Sequence, residues 1–114
     1  MRRWNKFGNK RRTVAGISFA SGREADRYLE LDLLQTQGII KDLRLQVRFT
    51  LQDGYTNGKG ERIRKMYYVA DFVYIDVETG ETVVEDVKGF KNQVYLLKKK
   101  LFEKVHYPLT ITEV

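Results

Sequence analysis

Residues 83–89 read VVEDVKG, and this stretch decides how the rest of the chain is interpreted. Successive side chains of a strand point to opposite faces, so Asp86 and Lys88 share one face and Glu85 points to the other. An acid and a lysine on one face predict either a structural ion pair or a group of reactive side chains. Which of the two holds depends on the residue that lies opposite Asp86.

The preceding strand supplies that neighbour. IRKMYYVADFVYID, residues 63–76, reads as a strand, and its run from Tyr67 to Ile75 is apolar on both faces except at Asp71, which is typical of a central strand covered on both sides. If the turn between the two strands has a two- or four-residue loop, Asp71 pairs directly with Asp86. Facing carboxylates in apolar surroundings are unfavourable unless one is protonated, Lys88 neutralises them, or a divalent cation bridges them.

The patterns on either side predict the order α-β-β-β-α-β. SGRE, residues 21–24, is a capping box that begins a helix ending near Gln37. LRLQVRFTLQ, residues 43–52, alternates as a strand with one buried face, and residues 53–62 read as a loop. A second helix over 91–106 has an aliphatic stripe expected to be core, and LTITEV forms a last strand; the stripe comprises Val94, Leu97, Leu101 and Val105.

Composition limits the chemistry of any site. The chain has 114 residues, enough for one domain, which we place at 13–114. It has no cysteine and one histidine, His106, which we expect to contact a helix end. Any metal must therefore be held by oxygen atoms, which favours Mg²⁺, Mn²⁺ or Ca²⁺. No run of residues resembles a signal peptide or a membrane span, so we expect a soluble, intracellular protein.

The net charge of +6 suggests a polyanionic partner, most often nucleic acid. Residues 1–12 form a basic arm without acids, and such arms either track phosphates or remain solvated termini. Lys91 and Lys98 lie near one face of the second helix and are candidates for phosphate contact or plain surface. The arm supplies six further candidates: Arg2, Arg3, Lys6, Lys10, Arg11 and Arg12.

These motifs resemble the PD-(D/E)XK nuclease superfamily. Its pattern is an Asp that interrupts one strand, then (Asp/Glu)-x-Lys on the next, hairpin-linked strand, as in VAD at 69–71 and Asp86-Val87-Lys88 here. Its core order is also α-β-β-β-α-β, which implies a restriction-endonuclease-like fold with a mixed central sheet flanked by helices. Ala70 stands where the superfamily's name has proline, a position that varies widely among its members.

The resemblance implies roles for four residues. Asp71 and Asp86 would be metal ligands, Lys88 the catalytic lysine, and Glu24 a further ligand or a water-mediated contact to Mg²⁺, with Mn²⁺ as a possible substitute. Glu24 has a second interpretation, because the capping box alone accounts for an acid at that position. Strand alternation favours Asp86 over the adjacent Glu85 as the ligand, since Glu85 points away from Lys88.

Nearly the whole chain also resembles small phage-encoded proteins of this superfamily that are similar to Holliday-junction resolvases. That resemblance implies a homodimer that cuts branched DNA in the cytoplasm of a bacterial host, with no membrane partner. Two alternatives stay open. The same site could belong to an exonuclease, a nickase or a restriction-like enzyme, or the fold could serve a non-catalytic DNA-binding or assembly protein.

Overall fold

A computed structural model describes residues 11–87 and 91–114 of the chain. No helix in these ranges is long and apolar enough to cross a membrane. The elements, in chain order, are β1 (Arg12–Val14), β2 (Ile17–Phe19), α1 (Gly22–Thr36), β3 (Ile40–Gln52), β4 (Tyr55–Thr56), β5 (Arg62–Ile63), β6 (Met66–Asp76), β7 (Thr82–Asp86), α2 (Gln93–Val105) and β8 (Ile111–Glu113).

A mixed four-stranded sheet organises the fold, in the order β3-β6-β7-β8. β6 pairs antiparallel with β3 and with β7, and β7 pairs parallel with β8. The elements α1, β3, β6, β7, α2 and β8 confirm the predicted succession and the mixed α/β class. Two small hairpins were not predicted: β1–β2, which precedes α1, and β4–β5. The second hairpin takes most of its residues from the segment interpreted as a loop, but it also contains Ile63, so the strand predicted to begin there begins at Met66.

The turn between β6 and β7 gives the register predicted for a two- or four-residue loop. Phe72 lies opposite Glu85, and Val73 lies opposite Val84. The next position toward the end of β7 brings Asp71 to Asp86. A short turn fixes this register locally, because its length determines which residues of the two strands can pair.

Helix α1 begins as predicted, but its capping box is modified. The Ser21 hydroxyl accepts from the backbone N–H of Glu24 at 3.2 Å, and the helix ends at Thr36, with Gln37 as its C-cap before a left-handed Gly38. A capping box would return the Glu24 side chain to the N–H of Ser21. Instead its Oε2 accepts from the N–H of Ala20 at 3.0 Å, which leaves Oε1 available for other contacts.

Two apolar clusters pack on opposite faces of the sheet. β6 shows this directly, because Phe72 contributes to the cluster under α1 and the adjacent Val73 to the cluster under α2. The α1 cluster contains Phe19, Ala25, Leu31, Ile40, Phe72 and Tyr74. The α2 cluster contains Leu51, Tyr68, Ala70, Val73, Val84, Tyr95, Phe102 and Ile111.

The expectation that β3 buries one continuous face is wrong. Leu43 and Leu45 pack against the α1 cluster, whereas Val47 and Phe49 pack against the α2 cluster. Strand β6 changes face in the same way between Ala70 and Phe72. Both strands switch at one cross-strand position, and the pairing register is the same on either side of it.

The aliphatic stripe of α2 is also not core. Val94 and Leu97 are each 60% exposed, and Leu101 and Val105 are exposed as well. The residues that α2 buries are Tyr95 and Phe102. Each follows a stripe residue by one position, about a quarter of a turn around the helix, so the larger aromatic side chains occupy the side facing the sheet.

Candidate carboxylate site

Three carboxylates from three elements meet near the position where β3 and β6 change face. Glu24 lies in the first turn of α1, Asp71 in the middle of β6 and Asp86 at the end of β7. Glu24 and Asp86 are buried, with 6% and 2% of their surface exposed, while Asp71 is half-buried. Buried acids require hydrogen-bond partners or counter-charges, so their surroundings define what the site can do.

Gln46 of β3 joins two of these carboxylates. Its side-chain Nε2 donates to Glu24 Oε1 at 3.2 Å and to Asp71 Oδ1 at 3.3 Å. The register of β3 with β6 sets Gln46 opposite Asp71, and Gln46 has a left-handed backbone with φ of 52°. A non-glycine residue in this conformation is unfavourable by about 1–3 kcal/mol and is often found at functional sites.

Each carboxylate is also anchored by one donor of the fold. Glu24 Oε2 accepts from the N–H of Ala20, and Asp71 Oδ2 accepts from the N–H of Val87 at 2.7 Å. The Tyr68 hydroxyl donates to Asp86 Oδ2 at 2.5 Å. One oxygen of each acid is thereby fixed, and the second oxygens of Glu24 and Asp71 both turn toward Gln46.

Asp71 is a carboxylate of this site whose ionised form is disfavoured by its surroundings. Burial, together with the hydrogen bond to the Glu24 carboxyl, raises the pKa of Asp71 to about 6, against the lowering effect of the Val87 N–H. Burial and the adjacent Asp86 raise the pKa of Tyr68 well above its usual range. Tyr68 therefore stays protonated and acts as a donor to Asp86, while Asp71 changes charge near neutral pH.

Glu85, the acid next to Asp86, has a separate structural role. It is 1% exposed, and Arg27 of α1 donates to both of its oxygens, Nε to Oε1 at 2.8 Å and Nη2 to Oε2 at 2.6 Å. The Tyr74 hydroxyl also donates to it. The hydrogen bond to Glu85 raises the pKa of Arg27. This geometry agrees with the prediction from strand alternation that the two acids point to different surroundings.

The donor set suits an oxygen-preferring divalent cation such as Mg²⁺ or Mn²⁺. The fit rests on the two oxygens of Glu24 and Asp71, which converge on the single amide nitrogen of Gln46. Within residues 11–87 and 91–114, however, no three acidic or histidine side chains stand as a group that could hold an ion. A cation at this place would therefore require the Gln46 amide to turn away.

The other predicted residues lie at or outside the edges of this site. Lys88, and Arg2, Arg3, Lys6 and Lys10 of the arm, lie outside the described residues. Arg12 belongs to β1 rather than to a free arm and pairs with Asp26 at 2.7 Å, while Arg11 donates to Ser18. Lys91 pairs with Glu113 at 3.0 Å, and Lys98 is partly exposed on α2. His106 caps α2, as expected, with its Nε2 2.8 Å from the Thr50 carbonyl oxygen.

Sequence reasoning missed Gln46 and Tyr68. Gln46 reads as one more outward-facing residue of an alternating strand, and the long connection from β3 to β6 leaves the register between them undetermined. Tyr68 reads as a core aromatic three residues before Asp71. The one available signal was the need of buried acids for donors, which predicts such neighbours without identifying them.

The fold and the site define a small mixed α/β protein with a group of carboxylates at the switch point of two strands. The chain belongs to the family described as "Protein of unknown function (DUF1064)", whose model matches residues 4–113. No curated protein and no solved structure matches it.

Proposed function

We propose that this protein is a metal-dependent DNA endonuclease of the PD-(D/E)XK type. One observation carries the proposal: oxygens of Glu24 and Asp71 converge on a single point, with Asp86 next to Asp71 on the paired strand. Acids brought together from a helix and two hairpin-linked strands need protonation of one of them, a neighbouring positive charge or a bound cation, and a bound cation is the explanation that gives the acids a function. The alternative is a structural ion pair of Asp86 with Lys88, which lies outside the described residues; such a pair would not account for the approach of Glu24 to Asp71.

The order of elements supports a restriction-endonuclease-like core as the finer description of the fold. An antiparallel pair, β6 and β7, carries Asp71 and Asp86, and the crossover helix α2 leads to the parallel strand β8. Helix α1, which precedes all four strands of this sheet in the chain, contributes Glu24. The resemblance in the sequence implies an arrangement of this kind, which supports the proposal.

Each residue has a role in the proposed reaction. Glu24, Asp71 and Asp86 would hold Mg²⁺, which when bound supplies positive charge that favours hydrolysis of a phosphodiester. Ala20, Val87 and Tyr68 orient the three carboxylates through the hydrogen bonds described above. Lys88, by its place in the sequence, would stabilise charge on the phosphate or orient the attacking water. Gln46 joins Glu24 and Asp71 in the described geometry and would turn away to admit the ion.

The proposed substrate is branched DNA, and the proposed assembly is a homodimer located in the cytoplasm of a bacterial host. The basic balance of the chain supports an anionic partner. Two symmetric cuts need two sites, which a two-fold dimer of this small chain would supply. Light scattering of the purified chain tests the dimer independently of its activity.

A cleavage assay tests the proposal directly. Purified protein is incubated with a labelled four-way junction or a matched linear duplex, in Mg²⁺, in Mn²⁺ and in chelator. Asp86→Ala is the test variant. Asp32→Ala is the matched control, because Asp32 is an exposed acid two turns beyond Glu24 on α1.

Paired cuts near the branch point that need metal and Asp86, and that Asp32→Ala retains, are the expected result. Equal cutting of the linear duplex would retain the nuclease and remove the junction preference. Cutting from ends or of one strand only would favour an exonuclease or a nickase. A junction that is bound but uncut in every metal would favour the non-catalytic DNA-binding or assembly protein.

A further inference from the structure

The distal half of the β3–β6 ribbon has one face that no described element covers. Beyond the switch, the apolar residues of both strands pack against the α2 cluster, so the opposite face is open within residues 11–87 and 91–114. We call this the ribbon face. It consists of Arg48, Thr50, Tyr67 and Val69, in the cross-strand pairs Arg48–Val69 and Thr50–Tyr67.

The ribbon face continues directly from the carboxylate site. Gln46 and Asp71 form the cross-strand position next to the pair Arg48–Val69, on the same side of the ribbon as α1. From Asp71 to Met66, where β6 begins, the ribbon extends about 17 Å at the usual rise of a strand. A linear substrate with one phosphate at the carboxylates would therefore lie along this face.

The charge of this segment fits an anionic ligand. Residues 48–69 contain five basic residues against two acidic ones, a net charge of +3 out of +6 for the whole chain. Within the described part of the chain, none of the five forms a salt bridge, whereas Arg12, Arg27, Lys91 and Lys99 do. The five are Arg48, Lys59, Arg62, Arg64 and Lys65.

Arg48 is held in place on this face. Its guanidinium carbon lies 4.9 Å from the centroid of the Tyr67 ring. An arginine stacked on an aromatic ring loses less freedom when it binds an oxyanion, because the ring already restricts the planar group and its N–H donors remain available at the edges. Lys65 comes two residues before Tyr67, at the end of the ribbon farthest from the carboxylates.

We propose that the ribbon face, together with the exposed Lys65 that directly precedes β6, binds the phosphate backbone of duplex DNA beside the carboxylate site, with Arg48 and Lys65 as phosphate contacts and Tyr67 as the residue that positions Arg48. Over about 17 Å, duplex DNA presents roughly ten phosphate charges. The inference rests on the proposed function for where the substrate lies, but it makes a prediction about binding that does not require cleavage.

Binding is measured by fluorescence anisotropy of a labelled 20-base-pair duplex in chelator, over a series of salt concentrations. Arg48→Gln and Lys65→Gln should each weaken binding several-fold and reduce the slope of log affinity against log salt by about 0.9. Arg44→Gln is the matched control: it removes the same charge from the same strand, but its neighbours Leu43 and Leu45 face α1, so Arg44 points to the other side. It should bind as the wild type does.

Tyr67 separates a positioning role from a general effect of mutation. Tyr67→Phe keeps the ring and should bind DNA normally, whereas Tyr67→Leu should show a loss similar to that of Arg48→Gln. Unchanged binding and salt slope in Arg48→Gln, an equal loss in Arg44→Gln, or no binding by the wild type at low salt would overturn the proposal.

Failure of this inference can be told from failure of the proposed function. Cleavage by the wild type, with Arg48→Gln binding and cutting equally well, would retain the nuclease and reject the ribbon face. Salt-dependent binding that Arg48→Gln weakens, with no cleavage in Mg²⁺ or Mn²⁺, would retain the ribbon face and reject hydrolysis.

Discussion

Replacing Asp71 by asparagine should make the fold more stable at neutral pH while removing the proposed activity. Burial, followed by the nearby Glu24 carboxyl, raises the pKa of Asp71 to about 6, although the hydrogen bonds with Val87 and Asp86 act in the opposite direction. Asparagine carries no charge, and its oxygen can still accept from the N–H of Val87. The substitution therefore removes the repulsion between Asp71 and Glu24. It retains the hydrogen bond from the N–H of Val87, just beyond the last residue of β7.

The size of the effect follows from the pKa. A rise from 3.8 to about 6 corresponds to about 3 kcal/mol of unfavourable free energy for the ionised form above pH 7. Solvent reaches part of Asp71, and the amide loses one acceptor toward Gln46, so we expect a gain of about 1–3 kcal/mol. A substitution on an exposed loop, Asp53→Asn, is the control and should change stability by less than about 0.5 kcal/mol.

The gain should depend on pH with a definite sign. Because the pKa of Asp71 is raised on folding, the wild type is stabilised by its protonated form below pH 4 and loses this stabilisation as pH rises through about 6. The asparagine of the Asp71→Asn variant has no such titration. Urea denaturation in chelator should therefore show similar stability for the two proteins near pH 4 and an advantage for the variant at pH 7.5.

The opposite result would refute the reasoning. If Asp71→Asn is no more stable than the wild type at pH 7.5, and the difference between the two proteins does not change with pH, Asp71 is not held among other carboxylates as described. The same measurement on Asp53→Asn guards against a general effect of lost negative charge on a basic protein.

Three further predictions test other parts of the structure. Millimolar Mg²⁺ or Mn²⁺ should raise the melting temperature of the wild type and not of Asp86→Ala, and equal shifts would place the ion elsewhere. Leu97→Ala should change the free energy of unfolding by less than about 1 kcal/mol, whereas Phe102→Ala should lower it by about 3–5 kcal/mol, because only Phe102 is buried. Comparable losses in the two variants would mean that the aliphatic stripe of α2 is part of the core. Glu85→Ala should lower stability by about 3–5 kcal/mol by leaving Arg27 and its neighbours without an acceptor, and a loss below about 1 kcal/mol would show that the pair contributes little.

Local signals were sufficient for much of the fold. The Ser21 cap and the glycine at 38 bound α1 as predicted, because helix ends are determined by a few adjacent residues. The sequence predicted Asp71 opposite Asp86 for a two- or four-residue loop, and the register of β6 with β7, in which Phe72 lies opposite Glu85, agrees with that case. The separation of Glu85 from Asp86 followed from the two-residue period of a strand.

Longer-range features were determined only by the tertiary structure. The period of a helix shows which residues share a face, but not which face packs against the rest of the protein. The sequence therefore could not show that Leu97 is exposed and Phe102 buried. The long connection between β3 and β6 leaves their register open, so the place of Gln46 opposite Asp71 could not be read from the sequence.

Glu24 shows how sequence and structure divide the information. The sequence offered two interpretations, a helix cap or a site carboxylate, because the same residue type serves both. In the folded chain one oxygen accepts from the N–H of Ala20 and the other from Gln46, so the two interpretations describe two atoms of one side chain. The sequence determined that an acid begins α1, through local hydrogen bonding. Only the packing of α1 against β3 and β6 decided that its second oxygen meets Asp71, because that contact joins residues far apart in the chain.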